Sequence, residues 1–407
     1  MEMMGEQRIG DDRSLQQSVA RAGNELRIAL GDLLDELAGA GIHSQQSLQS
    51  TLNLSQSVTS RVMSGARSTD PLATLARLPG PEGLRKMLRG ASQAGVAPEC
   101  LARVQDAVAG VEKLIDREVG DRYNLDALLC DWVHESRASF ELRQRAAAFR
   151  AMSSLRGVQV QTFASSWLVH PSSDGKAFDA VQIDALLACR RVRPNAVMHT
   201  TTQHLASHAE PVRVQNLQGR PVTCTRDIVV PQFSHFDAES METQRQDDMT
   251  RTLVRNLPLG NQRGADIVTA MHYPGLYPIN RTAANSRTTG VAANVEPPAR
   301  VLVLDIFLHD SVWPNSSPEL RVFDTVIRGL SHPDDPMRAA DQLESIETVT
   351  MLGRGIGAFR VEEIVEYPDL LQFVCEQRNW DPQFMRGYRV KMKYPIYVSQ
   401  VCLAFEL

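Results

Sequence analysis

The hydrophobic period of this chain changes once, near residue 157, and that change limits most of what it can fold into. Before it, apolar residues recur at three- and four-residue intervals. Val19, Leu26, Ile28, Leu30, Leu33, Leu34 and Leu37 mark one helix over about 15–40, stopped by Gly39 and Gly41. Short helices fit 44–52 and 55–64, Asp70-Pro71 and Pro81 open two more, and helical stretches cover 99–119 and 125–150. After 157, Val, Thr, Ile and Phe gather in short runs, which read as strands at 158–169, 178–191, 211–216, 222–230, 266–271, 300–308, 320–323, 347–352, 359–365, 388–392 and 396–405. Asn216-Leu-Gln-Gly219 reads as a hairpin turn and 273–298 as a loop. Only 239–256 and 368–378 read as helices among the strands, too few for the crossovers of a parallel sheet. The expected fold is therefore α+β: a disordered stretch at 1–13, an all-helical region at 14–155, and a mainly antiparallel domain at 157–407.

Charge divides along the same line. The net charge of the chain is -5, which argues against a surface that coats nucleic acid or membrane throughout. Residues 1–42 carry four arginines against eight acids. Residues 43–95 reverse this, with Arg61, Arg67, Arg77, Arg85, Lys86 and Arg89 against Asp70 and Glu82. Six cysteines, at 100, 130, 189, 224, 375 and 402, are too far apart for a zinc ribbon or a redox pair, and they read as reduced residues of a cytoplasmic protein. Residues 1–13 contain acids and no apolar run, so no signal peptide is expected, and no apolar stretch is long enough to cross a membrane.

The segment 44–65 lies where positive charge is in excess. Leu48 and Leu52 stand four apart on one short helix, Asn53 sits where a left-handed turn is needed, and Leu54 plugs the gap. Ser55 can cap a second helix whose inner face is read as Val58 and Val62. Its outer face then shows Gln56, Ser57, Thr59, Ser60 and Arg61. Gln can bond adenine at two points, Arg can do the same to guanine, and Ser or Thr reach phosphates or base edges.

The runs Leu52-Asn-Leu-Ser-Gln-Ser57 and Ser60-Arg-Val-Met-Ser-Gly65 resemble the helix-turn-helix of bacterial transcriptional regulators of the lactose-repressor and phage-repressor kind. Such families usually read Leu-Gly-Val/Leu-Ser-x-x-Thr-Val-Ser-Arg-Val-Leu. Here Asn53 replaces the glycine, Gln49 replaces a small alanine, and Val58-Thr59 inverts the Thr-Val order. The resemblance implies a DNA-binding regulator that is not an enzyme. Its contacts to double-stranded DNA would come from Ser55, Gln56, Ser57, Thr59, Ser60, Arg61 and Arg67, with Ser55 capping or touching phosphate. It also implies a homodimer whose recognition helices stand about 34 Å apart, and the apolar stripes of 99–119 and 125–150 are the expected seam. The β-rich domain would sense a small-molecule effector, join subunits or recruit a partner. No wing is expected after Gly65, since helical signals follow it.

Other constellations are weaker. His199, His204 and His208 sit among threonines with Glu210 as the nearest acid, so no metal site is assigned. Gly353-Arg-Gly-Ile-Gly357 lacks the spacing of a dinucleotide loop and reads as a tight turn. Glu362-Glu363 point to opposite faces if they lie on a strand. Trp167, Trp313, Trp380, Tyr273 and Tyr277 read as core or loop anchors. No cofactor and no catalytic residue is assigned. The rivals to a regulator are an assembly protein whose helical hairpin touches only protein, and a small-molecule enzyme in the second domain.

Overall fold

The leucine stripe of the first 40 residues forms one long helix, α1 (Glu2–Gly39), with Val19, Leu26, Leu30, Leu33 and Leu37 at most 1% exposed. In this computed structural model, the structure describes residues 2–203, 214–246, 249–260, 262–278, 288–327, 329–330 and 335–406. The expected disorder at 1–13 is corrected, because α1 already begins at Glu2. No proline interrupts, and Glu2 and Glu6 stand in the first turns, where the helix dipole favours acids. The chain divides into two units between Arg143 and Gln144.

The first unit is helical. After α1 come α2 (Gln45–Thr51), α3 (Gln56–Ala66), α4 (Pro71–Arg77), α5 (Pro81–Gln93), α6 (Pro98–Leu114), a π turn at Ile115–Val119 and α7 (Arg122–Trp132). The helix α8 (His134–Arg156) crosses the division. Leu101, Val104, Val108 and Val111 of α6 are buried in one core with the α1 stripe. That stripe was the reason for expecting a dimer seam, and it is filled from within the chain. Glu36 of α1 accepts the Ala97 N–H at 2.7 Å, which caps α6 where Ala97 offers no side chain of its own. A Cβ on Gly23 would stand 2.3 Å from Pro71 O, so the start of α4 approaches α1 where a glycine admits it.

The second unit carries the sheets. Its elements are β1 (Val158–Pro171), β2 (Ala177–Arg191), β3 (Met198–Gln203), β4 (Met241–Gln246), β5 (Met249–Val254), β6 (Ala265–Pro278), β7 (Thr288–Asn294), β8 (Ala299–His309), β9 (Pro318–Asp324), β10 (Gln342–Leu343), β11 (Thr350–Arg354), α9 (Tyr367–Arg378), β12 (Met385–Lys393) and β13 (Ser399–Glu406). They make a six-stranded sheet ordered β11-β12-β8-β1-β2-β6, a four-stranded sheet β10-β9-β13-β7 and a three-stranded sheet β3-β5-β4. The pair β1–β8 is parallel, and every other pairing of these strands is antiparallel. The fold is α+β, as the change of period predicts.

Alternation along β1 explains the layering. Phe163, Trp167 and Val169 share a core with Val401, Leu403 and Phe405 of β13, whereas Ala164 and Leu168 share one with Leu370, Leu371 and Val374 of α9. A buried ion pair ties the α9 side together. Arg389 donates to Asp305 at 2.8 and 2.7 Å, Tyr367 Oη donates to Asp305 Oδ2 at 2.6 Å, and Ser166 bonds the same phenol at 2.7 Å. Burial works against the charged form of Arg389, and the Asp305 carboxylate more than offsets it, so the Arg389 pKa rises.

Four segments depart from the sequence reading. The expected helix at 239–256 is the hairpin β4–β5, anchored where Thr225 meets Thr243 and Thr252. The expected loop at 273–298 contains the end of β6 and all of β7. The expected strand at 222–230 holds a 3-10 turn at Thr225–Ile228, and 359–365 holds turns between β11 and α9. Gly353 and Gly355 take positive φ of 91° and 77°, but the turn they make leads toward α9 rather than into a partner strand. His204, His208 and residues 211–213 of an expected strand lie outside the described residues. No helix among the described residues is long and apolar enough to cross a membrane.

Candidate nucleic-acid interface

The turn between α2 and α3 is built from local rules. Ser44 caps α2 in a capping box with Ser47. Asn53 takes φ of 52°, a left-handed conformation that asparagine tolerates better than most residues. Leu52 and Leu54 on either side are 3% and 8% exposed, which folds the chain sharply back. Ser55 then caps α3, its hydroxyl accepting the Val58 N–H at 3.4 Å. Behind the turn, α5 comes so close at Gly90 that a Cβ there would stand 2.4 Å from Leu52 O. Helices α4 and α5 follow α3, with no strand pair between them.

The rotation of α3 corrects the expected faces. Thr59 is 2% exposed and belongs to the inner face with Val62, while Val58 is half-buried. Gly65 sets this phase, since a Cβ there would meet Leu78 Cδ2 at 2.6 Å, so α3 turns positions 59, 62 and 65 inward. The Thr59 hydroxyl is satisfied by Ser55 O at 3.1 Å. Thr59 is therefore removed from the DNA-facing set.

Arg61 is also placed differently from the expectation. Its Nε donates to Arg77 O at 3.0 Å and its Nη2 to Leu78 O at 2.7 Å, capping the open carbonyls at the end of α4. Burial first, then the guanidinium groups of Arg122 and Arg143, push the Arg61 pKa down, while Asp126 opposes them. Three arginines thus share one field. Ser55, Gln56, Ser57, Ser60, Ser64 and Arg67 are exposed along α3 and its caps. The sequence reading missed Ser64, which its spacing of four from Ser60 could have placed on this face.

In the second unit, the densest row of titratable side chains crosses the α9-facing side of the six-stranded sheet. His170 lies opposite Asp179, meets the His309 ring edge-on at 4.6 Å, and stacks on Trp380 at 5.0 Å. Asp179 accepts the Gly275 N–H at 2.8 Å, and His272 Nε2, buried without a hydrogen bond, lies 3.8 Å from its Oδ2. Burial, then the neighbouring His170 ring, lowers the His309 pKa. These residues come from four strands, and each histidine is isolated in sequence, so no motif announces them. No group of three or more His, Cys, Asp or Glu among the described residues is placed to hold a metal ion. His199 pairs with the Arg156 side chain. Glu363 pairs with Lys391 at 2.5 Å. Trp167 stacks on Tyr273 at 5.8 Å, and Tyr277 meets Trp313 at 5.3 Å inside the core. Of the six cysteines, all free, only Cys224 is not buried, and burial pushes the Cys402 thiol up to about 12.

No family model matches the chain. No curated protein matches it. Among solved structures, a chain from Parabacteroides distasonis, provisionally named a protease, is similar at 8% identity and a TM-score of 0.26. The match covers 62% of this chain and 40% of that one, and a likeness so slight carries no argument about fold or activity.

Proposed function

We propose that this chain binds double-stranded DNA by laying α3 in the major groove, and that it regulates transcription. One observation carries the reading: the exposed face of α3 bears Gln56, Ser57, Ser60, Ser64 and Arg67 and no acid. The sequence supports it further, because no Asp or Glu occurs between Glu36 and Asp70. Phosphates are repelled by carboxylates and drawn by guanidinium groups, so an acid-free face beside Arg61, Arg122 and Arg143 suits a polyanion. Gln56 and Ser57 sit in the first turn of α3, the part of a recognition helix that reaches base edges. Arg61 acts as a positioning residue that fixes α3 to α4, and Thr59 as a core residue.

A mobility-shift series with the full chain tests this. Retention of duplex at low salt should fall as salt rises, with a logarithmic slope of about -0.9 per phosphate contact. Arg67→Ala should lower that slope by about one and weaken all sequences alike, whereas Gln56→Ala should relax base preference at a cost of about 1–3 kcal/mol. Failure to retain any duplex at low salt ends the regulator reading. The rival, a face that binds only protein, is favoured by the engagement of Arg61 within the chain. It predicts no salt-dependent duplex retention at all.

A further inference from the structure

Two clefts open beside the β4–β5 hairpin, and they differ in charge. The larger, about 520 Å³, is lined by Arg226 and Arg255, but Glu239 and Glu242 pair with these arginines at 3.2 and 3.1 Å, so its charge is balanced. The smaller, about 310 Å³, shares Arg255 and adds Arg263 and His235. Its lining acid is Asp237, whose carboxylate already accepts the Glu239 N–H at 3.0 Å. Positive charge is therefore in excess in the smaller cleft. Its remaining wall is apolar, with Phe236, Leu257, Pro258 and Ala265.

The cationic groups stand on fixed backbone. Arg263 precedes Gly264, where a Cβ would come within 2.5 Å of the Ala188 main chain, so the start of β6 is pressed directly on β2. Asp266 holds that contact by accepting the Ala188 N–H at 2.8 Å, and it keeps His235 close, 3.5 Å from its Oδ2. Arg255 is placed by its own N–H donating to Ser240 O at 2.9 Å, and Asn256 turns the chain with φ of 56°. A guanidinium on a rigid support recognises a carboxylate with little ordering cost. A volume near the lower end of small-molecule pockets excludes large cofactors.

We propose that this cleft binds a small organic anion, a carboxylate on a compact apolar body. The carboxylate meets Arg263 and Arg255, and the apolar body lies against Phe236 and Leu257. The proposal deepens the effector part of the regulator reading. Its test uses no DNA, so its failure and a failure of DNA binding are told apart.

The test is isothermal titration of the full chain with sodium benzoate at fixed ionic strength, with benzyl alcohol and inorganic phosphate as companion probes. Saturable benzoate binding is expected, with phosphate and benzyl alcohol both much weaker. Arg263→Gln should weaken benzoate by about tenfold or more, as the loss of a charge-assisted contact does. Lys176→Gln, an exposed position outside the cleft, should leave it unchanged. No saturable benzoate binding, or equal effects of the two variants, overturns the proposal. Phosphate binding as tight as benzoate overturns the assignment to an organic anion.

Discussion

The α3 face and the histidine row of the large sheet are both polar, yet they are assembled in opposite ways. The α3 face draws its side chains from Gln56 to Arg67, within one helix and its cap. The row draws His170, Asp179, His272 and His309 from four strands, β1, β2, β6 and β8. Short-range rules of capping and periodicity govern the first, while the second exists only once the sheet has closed over large sequence separations. A site of the first kind can be found in a sequence, and one of the second kind requires the register.

The two units should therefore answer to different perturbations, and the largest is expected at the buried ion pair. Arg389→Met leaves Asp305 charged and unpaired in the core, at a cost of about 3–5 kcal/mol. Tryptophan fluorescence reports mainly the second unit, since Trp167, Trp313 and Trp380 lie there and only Trp132 lies in the first. The denaturation midpoint by fluorescence should fall well below that by helical circular dichroism. Equal movement of both signals would mean that the units unfold as one, and the contrast drawn above would fail.

A smaller effect of the opposite kind is expected at Gly90. An alanine there would press a Cβ against the Leu52 carbonyl, main chain that cannot swing aside. The expected cost is about 1–3 kcal/mol, felt by helical circular dichroism and not by fluorescence. Duplex retention should weaken as well, because the turn that aims α3 shifts with α5. Unchanged duplex retention in a destabilised Gly90→Ala protein would show that the α2–α3 turn does not aim the binding face.

What the sequence made legible follows this division. Ser44, Asn53 and Ser55 act through hydrogen bonds and torsions within a few residues, and their roles were readable in advance. The phase of α3 was not. Hydrophobicity favours Val58 as the inner residue, but the close approach of Gly65 to Leu78 rotates the helix and buries Thr59 instead. The capping role of Arg61 was hidden for the same reason, since its partners Arg77 and Leu78 belong to another helix. In the second unit the strands that became β1, β2, β8 and β13 were legible from composition. Residues 239–256 were not, because the β4–β5 hairpin depends on Thr225 bridging Thr243 and Thr252.

The smallest expected effect is a pH dependence confined to the second unit. Burial, then His170 and Arg386, hold the His309 pKa below its usual 6.5, with Asp310 opposing. Burial, then Arg156 and Arg251, lower that of His199 in the same way. A base depressed in the folded state refuses a proton that the unfolded chain accepts. Stability is therefore full above about 6.5 and is lost as the pH falls below it, until the folded pKa is reached. The fluorescence-detected midpoint should decline as pH is lowered from 7 to 5, and His309→Asn should flatten part of that slope, with His199 supplying the rest. The helical signal should decline less over the same range. A slope in fluorescence unaltered by His309→Asn would place the titration elsewhere, and it would remove the one respect in which the sheet row responds to solution conditions while the α3 face does not.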